Sequence, residues 1–527
     1  MTKEDIFNNL QHYKVIPFTV LAVIFYFLSI LVGILFFQLS NGELFHFSLT
    51  FYCREAQLLF LVLWCFIYFQ TIRNIRYQDI TGRPSYRKDH GRYKRSYQEL
   101  VSYFKDANPY KINVTDLPIG YWKYTEGVIL GKIGRRLIKR DSSGEGNLAL
   151  FGGPGTHKTT SQIIPTALRF SGSVLAIDIK GDILHWTKNT RNIKIFNPED
   201  PNSHHFNPLY GIESMTMTER TSLIESFAAI LLEDDPKDKY FVPGGRDFFC
   251  GIALYMLHEN IHTTFPEIIT ALLHGNAIQW VKQIVASDCD EAKDYLGSYY
   301  GTNEKNVSGC YNTACVAVRS LNAGALNILL DSSNYSLSPQ DLEDGYDIYI
   351  EIPQDKIKQY SKISSIMVQT FMSAFMKRID SSSGIKTRPI IFLLDEFPQL
   401  HFDWDTLSTA LSTLRSKNVS LFMAQQSIAQ LESKYGSNHY REIIDNCRYI
   451  SIMSAQDPKS RTFFQQLIGT EKVLKVSNSQ NNKDSSRNVT EAREYIYQPE
   501  DFSNLEEDVV IYMNGKYIQA QKTKCYE

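Results

Sequence analysis

The sequence predicts an α/β fold in which helices cover both faces of a mostly parallel sheet. From about residue 100 onward, short runs rich in Val, Ile, Leu and Phe alternate with segments of helical periodicity, and such runs are typical of strands buried on both faces. Residues 212–345 contain no strand-like run, and two long uncharged apolar stretches precede residue 73. We therefore also expect an all-helical insertion and an amino-terminal membrane hairpin.

Seven buried strands are predicted in the α/β part. They correspond to apolar runs at residues 147–153, 172–182, 192–200, 346–353, 388–398, 418–426 and 447–454. Residues 475–488 are polar, which predicts a loop or a mobile linker. The predicted domains are the membrane hairpin (1–72), a basic segment with the first part of the α/β domain (73–211), the all-helical domain (212–345) and the second part of the α/β domain (346–527).

Composition limits the possible functions. The chain has 527 residues, 43% of them hydrophobic, with a formal net charge of -2. Because the whole molecule is not basic, any nucleic-acid contact requires a local basic surface. Eight cysteines occur without metal-ligand spacing, which indicates reduced thiols and predicts no structural metal.

The amino-terminal stretches are long enough to cross a bilayer. Residues 15–37 carry no charge and are long enough to span, whereas residues 56–72 are near the lower limit. The second stretch could instead be a buried or interfacial helix. Residues 73–95 carry eight Lys or Arg against two Asp, and such a bias marks the cytoplasmic side. The pattern predicts two spans, both termini in the cytosol, and a basic run that could contact anionic lipid.

A glycine-rich loop follows the first predicted strand. The stretch FGGPGTHKTT (151–160) matches G-x-x-x-x-G-K-[ST] except that His157 replaces the second glycine. A strand, such a loop and a helix form an anion cradle in which Lys158 would bind the β- and γ-phosphates and Thr159 would bind Mg²⁺. A plain strand-to-helix turn is the alternative. The expected nucleotide-binding residues are Gly152, Gly153, Pro154, Gly155, Thr156, His157, Lys158, Thr159 and Thr160.

An acidic pair ends a later apolar run. In IIFLLDEF, Asp395 and Glu396 follow the strand directly. Beside a phosphate loop, Asp395 would hold Mg²⁺ through water, and Glu396 would orient and deprotonate the attacking water. The pair therefore predicts a bound nucleotide with Mg²⁺ and hydrolysis of its terminal phosphate as the reaction.

Two further side chains are candidates for the same reaction. Gln426 ends the strand after the acidic pair, where it would sense the γ-phosphate, and we prefer it to Gln425. Arg415, on the preceding helix, could stabilise transition-state charge at the nucleotide of a neighbouring subunit. The alternative for Arg415 is a solvated helix arginine.

The chain resembles the VirD4/TraG-type coupling proteins of bacterial type IV secretion and conjugation. The resemblance rests on the membrane hairpin and on the stretches GGPGTHKTT, AIDIKGD, FNPEDPNSHHFNPL, LLDEFPQL, LRSKNVSLFMAQQSIAQLESKYG and YIYQPEDFSNLEEDVVIYMNGKYI. It implies a RecA-like P-loop ATPase, anchored in the bacterial cytoplasmic membrane and working as a homo-hexamer. Its partners would be relaxase-bound single-stranded DNA or effector protein and the subunits of the secretion channel.

The same resemblance assigns roles to residues by motif. Lys158 and Thr159 match the first nucleotide motif, Asp395 and Glu396 the second, Gln426 the later glutamine and Arg415 the in-trans arginine. Asp178, Lys180 and Gly181 match a further motif, for which a structural turn and a catalytic role stay open. The basic stretch 132–140 could reach DNA, or form a solvated loop or hairpin.

His157 is the main departure from the family, which has glycine at this position. We expect a working site with an unusual loop, because every other motif residue is present and an imidazole can donate to phosphate. Two other functions remain as alternatives: a cargo receptor or scaffold whose loop His157 has disabled, and an FtsK-like DNA translocase.

Overall fold

One twelve-stranded sheet organises the described part of the chain. The computed structural model describes residues 111–112, 119–121, 126–235, 237–322, 325–331, 336–381, 385–481 and 484–525. Its strands are β1 (Ile119–Tyr121), β2 (Val128–Ile133), β3 (Arg136–Arg140), β4 (Asn147–Phe151), β5 (Ser173–Asp178), β6 (Ile193–Phe196), β7 (His205–Phe206), β8 (Ser336–Leu337), β9 (Asp347–Glu351), β10 (Ile390–Leu394), β11 (Val419–Gln425), β12 (Cys447–Ile452), β13 (Thr470–Asn481), β14 (Asp484–Tyr495), β15 (Asp508–Met513) and β16 (Lys516–Gln521).

The centre of the sheet is parallel, as the apolar runs predict. The order is β1-β3-β2-β16-β15-β12-β4-β11-β10-β5-β9-β6, and every neighbouring pair from β12 to β6 is parallel. Strands β4, β5 and β10 are buried throughout. Full burial on two faces explains why these strands show no alternation of apolar and polar residues.

Antiparallel strands extend one side of this parallel centre. Strand β15 pairs with β12 and β16, and the hairpin of β2 and β3 continues the sheet to β1. The stretch 132–140 forms most of that hairpin and ends in Arg140, which is 3% exposed. Of the two interpretations of this basic stretch, the structure therefore shows a hairpin.

Fourteen helices lie in the described residues. They are α1 (Ile164–Arg169), α2 (Asp182–Thr187), α3 (Met217–Leu231), α4 (Phe241–Glu259), α5 (Phe265–His274), α6 (Ala277–Ala286), α7 (Asp290–Leu296), α8 (Glu304–Val318), α9 (Leu326–Leu329), α10 (Pro339–Asp344), α11 (Ile357–Met376), α12 (Trp404–Thr413), α13 (Ile428–Asp445) and α14 (Pro458–Ile468). Helices α3 to α9 lie between the short parallel strands β7 and β8. Helices α3 and α5 start at capping boxes, in which Thr216 and Thr264 accept from the backbone three residues later.

Aromatic side chains fix helices to the sheet. Phe375 of α11 packs edge-on against Phe392 of β10, with ring centroids 6.2 Å apart. Phe464 of α14 packs in the same way against Phe151 of β4 at 5.1 Å. Each large ring buries enough apolar area to contribute about 2–3 kcal/mol, so these contacts hold the strands that carry the candidate site.

The segment predicted as a loop or linker is a β-hairpin, so that prediction is wrong. Strands β13 and β14 pair antiparallel from Thr470 opposite Tyr495 to Asn481 opposite Asp484. A two-stranded ladder satisfies backbone N–H and C=O groups without a buried face. Low apolar content therefore does not exclude a hairpin.

The prediction of a multi-pass protein of the cytoplasmic membrane is corrected. Among the described residues, no helix combines the length and the apolar composition that crossing a bilayer requires. The longest, α11, spans twenty residues and contains Lys358 and Lys362, which a spanning segment rarely tolerates. The stretches 15–37 and 56–72, on which the predicted hairpin rested, lie outside the described residues.

Candidate nucleotide-binding site

The candidate site lies where three neighbouring parallel strands end. Phe151 of β4 pairs with Gln425 of β11, and Met423 of β11 pairs with Leu394 of β10. The residues that follow these strands therefore meet at one edge of the sheet. In open α/β sheets, ligands bind at this carboxyl edge.

The glycine loop keeps the close turn that a phosphate loop needs. The Gly152 N–H donates to the Gln425 carbonyl at 3.1 Å. A Cβ on Gly152 would lie 2.4 Å from Thr156 Oγ1, and Gly155 has a φ of +75°. After the loop, a wide turn at Thr159–Ile163 leads into α1. The loop thus delivers a helix amino terminus to the sheet edge, where unpaired N–H groups favour an anion.

His157 adopts the backbone conformation that a glycine would take there. Its φ is +66°, and its side chain is exposed. A left-handed conformation costs a non-glycine residue about 1–2 kcal/mol. The loop therefore accommodates His157 by strain and by turning the imidazole towards solvent.

Lys158 links the loop to the acidic pair. Its side chain is 7% exposed, and its Nζ donates to the Gly152 carbonyl at 2.8 Å. The same Nζ lies 3.6 Å from Glu396 Oε1. A buried ammonium costs free energy unless it is paired, so the loop carbonyl and the carboxylate together hold it in this position.

Thr159 and Asp395 form the second link. Thr159 Oγ1 donates to Asp395 Oδ2 at 2.8 Å. Burial raises the pKa of Asp395 above its ordinary value, and the hydrogen bond from Thr159 opposes that rise. A hydroxyl and a carboxylate at this separation are the oxygen ligands that Mg²⁺ prefers.

Glu396 and Gln426 form the third link. Gln426 Nε2 donates to Glu396 Oε2 at 3.1 Å. Glu396 has a φ of +52°, and such strain often accompanies function. The structure thus brings Lys158, Thr159, Asp395, Glu396 and Gln426 together through side-chain contacts of 2.8–3.6 Å.

Arg415 lies apart from these residues. It precedes β11, at the opposite edge of the sheet, where its Nε donates to Glu145 Oε2 at 2.9 Å. The seven residues of β11 separate the two edges by about 20 Å. Within one chain, therefore, Arg415 does not contact the candidate site.

The third matching motif forms a structural turn. Asp178 ends β5, and its Oδ2 accepts from the Leu184 N–H at 2.8 Å in the first turn of α2. Gly181, with a φ of +72°, begins that helix, while Lys180 is exposed. Burial raises the pKa of Asp178 to about 6. These contacts favour the structural interpretation over the catalytic one.

Two features of the site were missed by sequence reasoning. Gln425 is completely buried, and neither of its side-chain amide atoms has a hydrogen-bond partner among the described residues. Near the end of the chain, Thr523 Oγ1 donates to the Ser161 carbonyl and the Cys525 N–H donates to the Thr160 carbonyl at 3.1 Å. The adjacent Gln425 and Gln426 in the sequence pointed to the first feature. No local pattern indicates the contacts of Thr523 and Cys525.

The fold and the arrangement of the candidate site together indicate the class of protein. A parallel sheet whose neighbouring strands end in a glycine loop and an acidic pair is the arrangement of P-loop nucleotide-binding proteins. The family model described as Type IV secretory system Conjugative DNA transfer matches residues 119–527, and the chain belongs to this family.

Curated relatives agree with this assignment. The chain is 22% identical over 334 residues to the type IV secretion system-coupling protein VirD4 of Bartonella henselae, covering 60% of this chain and 51% of that protein. It is 25% identical over 393 residues to a probable conjugal transfer protein TraG of Sinorhizobium fredii, covering 70% and 60%. The predicted VirD4/TraG-type resemblance is confirmed. The matches span between half and about three fifths of these relatives.

Solved structures share the fold. The plasmid coupling protein TrwB in complex with the ATP analogue ADPNP aligns with a TM-score of 0.60 at 15% identity, over 79% of this chain and 93% of that one. TrwB in complex with ADP and Mg²⁺ aligns with a TM-score of 0.54 at 16% identity, over 72% and 85%. The predicted α/β fold with a mostly parallel sheet is confirmed by this likeness.

Proposed function

We propose that this protein is an ATPase that couples ATP hydrolysis to DNA transfer in type IV secretion. The observation that supports the proposal most directly is the set of contacts that joins the glycine loop to the acidic pair, Thr159 to Asp395 and Lys158 to Glu396. These residues lie 236 positions apart in the first contact, and they meet where a nucleotide would bind.

ATP and Mg²⁺ fit the residues of this edge. The glycine loop and the first turn after it present backbone N–H groups, and Lys158 places a buried ammonium beside them. Thr159 Oγ1 and Asp395 Oδ2, 2.8 Å apart, would hold the metal, Asp395 through water. When bound, Mg²⁺ neutralises phosphate charge. TrwB, whose fold this chain shares, has been solved with ADPNP and with ADP and Mg²⁺.

Glu396 is the proposed general base. Lys158 and Gln426 contact its two carboxylate oxygens, which fixes the side chain and leaves it able to accept a proton from water. Because Gln426 shares this carboxylate, a shift of Gln426 towards a γ-phosphate would move Glu396 as well. The positions of Gln426 and Glu396 would therefore depend on whether a γ-phosphate is bound.

Arg415 is proposed to act on the nucleotide of a neighbouring subunit in a homo-hexameric ring. Its place at the edge opposite the chain's own site supports action in trans. An arginine supplied in this way accelerates phosphoryl transfer by about 10³–10⁵-fold.

The proposed cargo is relaxase-bound single-stranded DNA or effector protein, delivered to the subunits of the secretion channel. The family assignment supports DNA transfer as the process. With a formal net charge of -2, the chain would bind DNA only at local basic surfaces, through backbone contacts that weaken with salt.

A cargo receptor without ATP turnover is the second candidate. The strained backbone of His157, with its φ of +66°, favours it, because strain in the phosphate loop could weaken nucleotide binding. An FtsK-like translocase has no comparable support, since the family model matches residues 119–527.

ATPase activity of the purified full chain, with and without single-stranded DNA, distinguishes the two candidates. Glu396→Gln keeps the shape of the side chain and should lower kcat by about 10²–10⁴-fold. Glu432→Gln, which alters an ion pair with Lys459, is the matched control and should hydrolyse ATP at the unmodified rate. If the unmodified chain is no faster than Glu396→Gln, the receptor is the correct interpretation.

A further inference from the structure

Two arginines face one carboxylate at the edge opposite the candidate site, and a third arginine contacts the loop that carries this carboxylate. Arg415 donates to Glu145 through Nε and Nη2, and Arg448 Nη1 lies 4.0 Å from the same Glu145 Oε2. Arg140 Nη1 donates to the Gly146 carbonyl at 2.7 Å and to Ser420 Oγ at 2.9 Å. The other nearby carboxylate, Asp141, pairs with Lys139 at 2.8 Å. We call Arg140, Arg415, Arg448 and Glu145 the arginine cluster.

The arginine cluster has spare hydrogen-bond donors. Arg140 is 3% exposed, yet its Nε and Nη2 are buried without a partner among the described residues, as is the Nε of Arg448. Burial lowers the pKa of Arg140 to about 10, and the nearby charge of Arg448 adds to that effect. Buried donors without acceptors are costly. The positive charge of the cluster favours an anion, which would bind at the guanidinium groups of Arg415, which is exposed, and Arg448, which is partly exposed.

The shape of the loop that carries Glu145 requires glycine. Gly146 has a φ of +104°, and a Cβ there would lie 2.6 Å from Arg448 Cβ. A Cβ added to Gly144 would lie 2.9 Å from Arg140 Cγ. The two glycines let both arginines approach the backbone of the loop that carries Glu145.

Strand β4 connects this loop to the phosphate loop. Glu145 precedes β4 by two residues, and Gly152 follows it directly. The five residues of β4 separate the two ends by about 17 Å, so the arginine cluster does not reach the chain's own nucleotide.

We propose that Arg448 joins Arg415 in binding the nucleotide phosphates of a neighbouring copy of this chain, and that Glu145 holds both arginines until those phosphates arrive. The inference rests on the proposed ATPase function and adds a second in-trans arginine and its retaining carboxylate. Glu145 and the triphosphate compete for the two guanidinium groups. The triphosphate should displace Glu145, because it offers more negative charge and more acceptor oxygens to planar donors.

Mixed rings of the full chain test the role of Arg448. Arg448→Ala should lower kcat by about 10-fold or more and raise the KM for ATP, while the melting temperature stays unchanged. Lys158→Ala disables the phosphate loop but keeps the arginines. Rings mixed from these two variants should regain activity above the average of the separate variants, since each supplies what the other lacks. A mixture that stays at that average overturns the proposal.

Three matched variants sharpen the result. Arg448→Lys keeps the charge without the planar fork and should also lose kcat. Arg441→Ala removes an exposed arginine, whose Nε lies 3.4 Å from Tyr440 Oη, and should hydrolyse ATP normally. Glu145→Gln should lower the KM for ATP several-fold, because it releases Arg415 and Arg448 from the carboxylate. A kcat loss in Glu145→Gln as large as in Arg415→Ala overturns the retaining role.

DNA backbone phosphate is the other source of the same ligand chemistry. If Arg448→Ala weakens binding of single-stranded DNA and keeps the unmodified kcat, the cluster binds DNA and the proposal is wrong. Failure of the proposed function has a different signature, because the unmodified chain would then show no ATPase activity that depends on Lys158.

Discussion

Thr159 Oγ1 donates a 2.8 Å hydrogen bond to Asp395 Oδ2 across 236 positions of sequence. This contact joins the turn after the glycine loop to the end of a strand two places away in the sheet, β4 and β10 being separated by β11. It places two candidate oxygen ligands for Mg²⁺ side by side.

Removal of the Thr159 hydroxyl should weaken binding of Mg²⁺ with nucleotide. Thr159→Ala removes one of the two hydrogen bonds that Asp395 accepts, so the pKa of that carboxyl should rise further and fewer ligands should remain for the metal. We expect a loss of Mg²⁺-dependent ATP affinity of about 10-fold or more, measured by titration calorimetry. Thr159→Ser keeps the hydroxyl and should bind normally. Equal affinity for both variants would show that Thr159 is not a ligand.

The strain at His157 should be measurable as stability. His157→Gly removes the penalty for a φ of +66°, whereas His157→Ala keeps a Cβ and hence the strain. The left-handed penalty of about 1–2 kcal/mol, partly offset by the larger unfolded-state entropy of glycine, should make His157→Gly more stable than His157→Ala by about 0.5–1 kcal/mol. Urea unfolding of both variants gives the difference. If His157→Ala is the more stable of the two, the loop conformation is not strained.

Asp178 should make the free energy of unfolding depend on pH. Burial raises its pKa from 3.8 to about 6 in the folded chain. The folded state then binds more protons than the unfolded state between these values, so stability is lost as the pH rises from about 4 through 6.

Asp178→Asn removes this titration and keeps the size of the side chain. The stability of Asp178→Asn relative to the unmodified chain should increase by up to about 3 kcal/mol between pH 4 and pH 7, measured by urea unfolding at several pH values. A difference that stays constant across this window would contradict the raised pKa.

The buried ion pair of Arg191 and Asp347 should be essential for stability. Asp347 is 1% exposed and accepts from Arg191 Nη2 at 2.9 Å and from the Val174 N–H at 2.9 Å. Arg191 also donates to the carbonyls of Phe170 and Gly172. Arg191→Ala should destabilise the fold by about 3–5 kcal/mol, because it leaves a buried charge unpaired.

A double-mutant cycle measures the interaction free energy between Arg191 and Asp347. Arg191→Ala combined with Asp347→Asn should cost less than the sum of the two single changes, since the second change removes the unpaired charge. Additive costs in thermal or urea unfolding would show that the two side chains do not depend on each other.

Much of the parallel sheet was predictable because its strands are buried on both faces. Residues such as Ile390 to Leu394 are all apolar, and a short apolar run is a local signal. The antiparallel side was harder to predict. Asn514 and Gly515, with positive φ values, mark the tight turn between β15 and β16, yet the same signal does not say which strand the hairpin joins.

The choice between Gln425 and Gln426 likewise depended partly on the sequence and partly on the fold. Adjacent strand residues point to opposite faces, so only one of the two could face Glu396. The structure places Gln426 Nε2 3.1 Å from Glu396 and buries Gln425. The contact agrees with the preference for Gln426, and its catalytic role stays a prediction.

The α/β class, the glycine loop, the acidic pair and the family resemblance could all be inferred from the sequence, because each depends on residues that are neighbours along the chain. The contact of Thr159 with Asp395, that of Glu145 with Arg415, and the pairing of Thr470–Asn481 with Asp484–Tyr495 became known only from the fold. These contacts depend on strand order and register, which are set by the packing of the whole sheet rather than by any local pattern.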